Sequence, residues 1–268
     1  RGPAAAASAS LRKTIVAEGD TDVPLRRAAP SAAGASGSRD TLRPAAPVEE
    51  FPAFGSARMP VWRVPNWGAM RTPAEWERTY AEMTSADFVP LPPYDMAVLT
   101  TPLSSLTNPI TEQTIPLITA KLTYSTRHFG AYDLDSTEFT DLHPGIDIKL
   151  AEGTPVGVVG GGRVHAVNRT NRLGLHVIVE HRVEGETLFS VYAHLASAWV
   201  EEGDDLAAGD VVGTVGMSGN TVSPHLHLQI DRDAGNRPHA PYYPSTAPSA
   251  SEADRWTVHP IAFIQAHN

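Results

Sequence analysis

His176-Val-Ile-Val-Glu180 and Leu188-Phe-Ser-Val-Tyr-Ala-His194, broken by Glu184-Gly185, decide the fold class of this chain. Both runs are short, rich in β-branched or alternating residues, and without a helical period. The same texture recurs outward from them, at residues 154–159, 163–167, 211–215 and 225–230. Breaks fall at Gly160-Gly161-Gly162, at Gly174 and at Ser218-Gly219-Asn220. Short strands with regular turn punctuation from Leu122 onward predict a mainly β, antiparallel domain.

Composition bounds the rest. The chain has 268 residues, 41% of them hydrophobic, enough to build a core. Lys and Arg number 21 against 30 Asp and Glu, a net charge of -9, which argues against a nucleic-acid partner. There is no Cys, so disulfides, thiol nucleophiles and Cys-type zinc sites are excluded together. Any metal must be held by His and carboxylate. No apolar stretch reaches the roughly 20 residues of a membrane-spanning helix. The chain starts at Arg1, which leaves room for a signal peptide or anchor upstream.

Three regions are expected. In residues 1–50, Ala, Gly, Pro and Ser fill 27 positions and no aromatic occurs, so the segment reads as a disordered tether. It carries seven basic and six acidic groups, so the remaining chain holds the acidity. Residues 51–120 form a Pro-rich lead-in with aromatics and one short helix. Thr72 caps that helix, Pro73 suits its first turn and Glu75 completes a capping box. Trp76, Tyr80 and Met83 then fall at i, i+4 and i+7, an apolar stripe for packing on the following domain. Residues 91–116 read as extended chain, and residues 121–268 as the domain that holds the chemistry.

Three clusters carry that chemistry: His143-Pro-Gly-Ile-Asp147, Ser190-Val-Tyr-Ala-His194-Leu195 and Ser223-Pro-His225-Leu-His227. In a strand, i and i+2 project from one face, so His225 and His227 can converge on one small object. Pro144-Gly145 predicts a turn into a strand that begins near Asp147, letting His143 and Asp147 point one way. Two His and one Asp leave a fourth position for water on a tetrahedral zinc. His165, His176, His181, His239, His259 and His267 are read as surface or packed histidines.

The order H-x-G-x-D, Y-A-H-L, H-L-H resembles the lysostaphin-type zinc metallopeptidases that cut peptidoglycan peptides. Gly153-Thr-Pro-Val156, Ala208-Gly-Asp210 and Gly216-Met-Ser-Gly-Asn220 extend the likeness over roughly residues 121–264. The resemblance implies a barrel-like, duplicated hybrid-motif β domain with one zinc ion held by His143, Asp147 and His227. It gives His225 the general-base role and makes His194 a second unliganded histidine that stabilises the transition state. The implied reaction is hydrolysis of a peptide bond by metal-activated water, in the periplasm, at the wall or outside the cell. Peptidoglycan peptides are the implied substrate, and a monomer is expected. Departures lie in the acidic insert 132–139, in Arg127 before Phe129-Gly130, and in Leu228-Gln229 where the family usually has Phe-Glu.

Rival readings differ in what they demand. A catalytically silent domain of the same fold, activating a partner hydrolase, needs no complete ligand set. A lipoyl carrier needs a turn lysine, which Met217-Ser-Gly-Asn220 lacks. A cupin has no use for the His143/Asp147 pair.

Overall fold

The computed structural model describes residues 50–101, 114–124, 143–236, 238–243 and 255–268. The expected tether 1–49, the acidic insert 132–139, Arg127 and Phe129-Gly130 lie outside the described residues. The described part is mainly β. Nine antiparallel strands form one sheet: β3 (Gly145–Lys149), β4 (Pro155–Gly157), β5 (Gly162–Thr170), β6 (Gly174–Val183), β7 (Glu186–Ala198), β8 (Asp205–Leu206), β9 (Val211–Val215), β10 (His225–Arg232) and β11 (Thr257–Val258). A separate pair, β1 (Arg63–Pro65) and β2 (Phe88–Pro90), lies in the lead-in.

The central order is β11-β10-β7-β6-β5-β8. Strand β10 pairs with β7 along one edge and with β3 and then β11 along the other. The turn from β6 to β7 is Glu184-Gly185, both with positive φ (50° and 88°), the two-residue geometry that matches strand twist.

Alternation sorts β6, β7 and β10 onto two buried faces. One face carries Val177, Val179, Tyr192, Leu226, Leu228 and Ile230. Against it pack lead-in residues Phe54, Val61, Val64 and Leu99, and Ile261, Phe263 and Ile264 of the helix Pro260–Ala266. The other face carries Ile178, Phe189, Val191 and Ala193. The odd-numbered residues of β10, from His225 to Asp231, stand on this second face. No helix among the described residues is long and apolar enough to cross a membrane.

The lead-in corrects two sequence expectations. The capping box at Thr72 and Glu75 forms, but the helix spans only Pro73–Trp76, so Trp76, Tyr80 and Met83 do not share a helical stripe. Thr79 and Thr84 each open a new 3-10 turn, closed by Glu82 and Asp87. Three Thr-x-x-acid boxes in succession restart the chain rather than continue one helix. The aromatics still pack: Trp76 stacks on Trp67 at 5.3 Å, and the Lys149 ammonium sits 5.0 Å from the Trp67 ring. Residues 91–116 are also not uniformly extended, since Met96–Thr100 is helical and a further helix runs Thr114–Thr123.

Candidate metal centre and cleft

Strand pairing places the three motifs together. Asp147 on β3 lies opposite His227 on β10, which lies opposite Ala193 on β7. The first motif enters β3 through a bend at Pro144, as expected. Gly145 is required there, because a Cβ would strike the Leu228 carbonyl and the His227 ring. His143 Nε2 is 3.2 Å from His227 Nδ1 and 3.3 Å from Asp147 Oδ1, and His227 Nδ1 is 3.0 Å from Asp147 Oδ1. These three residues could hold a metal ion. Burial alone would raise the Asp147 pKa, but the charge and hydrogen bonds of His143 and His227 outweigh it and hold the carboxyl well below its usual range. His227 is pushed upward in return, against its burial, by its hydrogen bond to Asp147.

His225 turns its Nε2 to 3.7 Å from Asp147 Oδ1. Its Nδ1 donates to the Ser223 carbonyl (2.9 Å) with Thr221 Oγ1 alongside at 3.1 Å. That bond leaves Nε2 as the acceptor. Burial lowers the His225 pKa, so the ring is neutral at neutral pH.

His194 reaches the same cleft by a different route. It adopts φ 60°, a left-handed conformation uncommon for a residue with a side chain, where the β6–β7 register shifts. Its ring stands 4.6 Å from that of His225, centroid to centroid, and its Nδ1 donates to the Ser218 carbonyl at 2.8 Å. The Ser218 loop is fixed by Gly174 against Gly219, where no Cβ fits on either residue, and by Ser218 Oγ, which accepts from Leu175 N and donates to the Leu195 carbonyl. Burial pushes the His194 pKa from 6.5 to about 4.

A cleft of about 410 Å³ opens over these five residues. Lys149 and Arg172 also line it, with Leu173, Val222 and Tyr243, and Asp147 is its one carboxylate among the described residues. The structure thus brings His143, Asp147, His194, His225 and His227 together.

Sequence reasoning missed the groups behind His227. His227 Nε2 meets Gln229 Oε1 at 3.0 Å, and Gln229 Nε2 donates to Asp231 Oδ1 at 2.6 Å. Asp231 Oδ2 accepts from His239 Nε2 and from Tyr242 N, each at 3.0 Å. The period-two row 225, 227, 229, 231 was the signal for the first part. His239, which arrives from beyond the strand, had none.

Residues 141–241 match the family model described as Peptidase family M23. The chain is 38% identical over 88 residues to the DD-carboxypeptidase/endopeptidase Mpg of Neisseria meningitidis, covering 33% of this chain and 20% of that protein. It is 36% identical over 88 residues to the murein hydrolase activator EnvC of Escherichia coli, again 33% of this chain and 20% of that protein. The chain thus spans about a fifth of the length of these relatives. Among solved structures, the catalytic domain of lysostaphin from Staphylococcus simulans aligns at 24% identity and a TM-score of 0.39, over 52% of this chain and 89% of that one. All five clustered residues lie within the segment 141–241 that matches the model of peptidase family M23.

Proposed function

We propose that this chain is a zinc-dependent endopeptidase that hydrolyses peptide bonds in the cross-links or stems of peptidoglycan. The observation that carries the reading is the spacing of three ligand atoms. His143 Nε2, Asp147 Oδ1 and His227 Nδ1 lie 3.0, 3.2 and 3.3 Å apart. A tetrahedron with zinc–nitrogen and zinc–oxygen bonds of about 2.0–2.1 Å has edges of about 3.3 Å. Two imidazole nitrogens facing each other beside a single carboxylate suit a cation, and the donor set leaves a position open. His143, Asp147 and His227 would hold the ion.

Zinc bound there supplies a Lewis acid that brings the pKa of water toward neutrality and polarises a carbonyl. The chain supplies the proton transfers. His225, neutral and anchored at Nδ1, takes a proton at Nε2 from the attacking water. His194, anchored in the same way, also presents Nε2 as an acceptor. Once either ring is protonated, its Nε2–H becomes a donor, able to hold the developing oxyanion or to deliver the proton to the leaving amine. The water oxygen bonds to the scissile carbon, the carbon–nitrogen bond breaks, and the amine leaves with that proton. Lys149 and Arg172 favour a peptide that carries carboxylates.

Likeness to the peptidoglycan DD-endopeptidase ShyA of Vibrio cholerae, 32% identical over 88 residues, supports peptidoglycan peptides as the substrate and so an action in the cell envelope. Likeness to EnvC supports a second reading, an activator module without hydrolysis. Purified chain should carry one zinc and release defined fragments from peptidoglycan, and a chelator should stop the release. His143→Ala, Asp147→Ala and His227→Ala should each lose both zinc and release. A folded wild-type chain with no zinc and no hydrolysis would overturn the enzyme reading in favour of the activator.

A further inference from the structure

The second face of β10 carries an unbroken buried row: His227, Gln229 and Asp231, with His239 at its end. Gln229 and Asp231 are both almost fully buried, at 1% and 0% exposure. Polar groups so deep are as a rule paired, and here the partners of Gln229 and Asp231 fix the orientation of each.

Gln229 Nε2 uses both its hydrogens, one on Asp231 Oδ1 (2.6 Å) and one on the Tyr242 carbonyl (3.0 Å). Neither partner can donate back, so the amide cannot be turned over, and Oε1 must face His227. An acceptor at 3.0 Å requires a proton on His227 Nε2. In the neutral ring, Nδ1 then keeps its lone pair, and Nδ1 is the atom beside His143 and Asp147. Asp231 holds Gln229 in that sense because its other oxygen is already occupied by His239 Nε2 and Tyr242 N. The His239 ring is immobilised face to face on Phe189, with centroids 4.0 Å apart and planes 3° apart. Its backbone N–H donates to His165 Nε2 at 2.9 Å.

We propose that Gln229, Asp231 and His239 form a positioning relay that selects the Nε2–H form of His227 and so presents Nδ1 to the metal. The inference rests on the zinc reading above. None of the three residues touches substrate. They act through His227, as outer partners of metal-ligating histidines do.

Zinc affinity measured by competition with a chelator tests the relay. Q229L removes the acceptor and should weaken zinc by about 10–100-fold. D231N is isosteric and guards against a folding failure of Q229L. Its single oxygen must stay with His239 and Tyr242, so its amide opposes that of Gln229. Neither orientation of Gln229 then satisfies both the new amide at position 231 and the Tyr242 carbonyl, so its hold on His227 Nε2 loosens and a similar loss of zinc is expected. The double variant Q229E/D231N exchanges the donor and acceptor roles, and should bind zinc more tightly than either Q229L or D231N. In the zinc-loaded wild type, nitrogen-15 spectra should show His227 protonated at Nε2 with slow proton exchange, and Q229L should speed that exchange. Wild-type zinc affinity in folded Q229L and D231N, or a zinc-bound Nε2 on His227, would overturn the relay alone. A wild-type chain that binds no zinc would overturn the metal reading with it.

Discussion

At the residue scale, the cleft depends on two histidines that are presented in opposite ways. His225 sits on a regular strand, and only its ring direction matters. His225→Ala should keep zinc and slow hydrolysis by about 10²–10⁴-fold, the usual range for loss of a general base. Retained wild-type turnover would remove the base from His225. His194 instead depends on its backbone, at φ 60°. Left-handed geometry costs a residue with a Cβ about 1–2 kcal/mol, and glycine avoids the penalty. His194→Gly should therefore unfold at higher denaturant than His194→Ala, while both lose rate. Equal stabilities would show that the strain is relaxed in the chain. The H-x-H pair was legible from strand alternation alone. The placement of His194 was not, because the turn of its backbone follows from the Ser218 loop, which lies 24 residues on.

At the scale of elements, close approach explains what composition could only mark as breaks. Gly174 and Gly219 read as turn residues in the sequence. In the fold they press against each other and fix the carbonyl that holds His194. Gly174→Ala would drive a methyl group into Ser218 and strain a positive φ, so it should destabilise the chain by about 1–3 kcal/mol. Hydrolysis should fall with it, since the Ser218 carbonyl anchors the His194 ring. A variant with unchanged melting and rate would dismiss the contact. The lead-in shows the opposite failure. Its aromatic spacing suggested one helix, yet Thr79 and Thr84 recapture the chain locally before a second helical turn can form. Their capping boxes were readable in the sequence. The competition between propensity and repeated caps was settled only by packing of Trp76 on Trp67 and of Tyr80 on Phe88.

At the scale of the whole molecule, the lead-in and the β domain share a core. Phe54 is buried, edge-on to His181 at 5.4 Å and to Phe263 at 5.6 Å. Phe54→Ala should cost about 3–5 kcal/mol, read from denaturant unfolding. A chain begun at Lys121 would lose Phe54, Val61, Val64 and Leu99 together, and should melt well below the full chain; equal melting would show the lead-in to be dispensable. His181, beneath Phe54, links the same core to pH. Burial lowers its pKa from 6.5 to about 4, with Nδ1 on the Gly161 carbonyl and Nε2 on Ser190 Oγ. The unfolded chain takes up this proton below pH 6.5 and the folded chain only near pH 4. Stability is therefore full above pH 6.5 and falls as pH drops through that window, by about 3 kcal/mol in all. His181→Gln should flatten that part of the stability–pH curve, and an unchanged slope would assign it to other groups.

What the sequence by itself determined is the local order. Alternation specified the strands, and glycines marked where they turn. The ordered motifs named five of the residues that line the cleft. These signals are short-range, because side-chain direction in a strand follows from the backbone two residues at a time. What only the tertiary structure decided is how distant pieces meet. Examples are a lead-in phenylalanine in the core, a loop carbonyl on His194, and His239 closing the row behind His227. Such contacts depend on which strands pair and in what register. That choice is made by burial summed over the whole sheet, and no single segment encodes it.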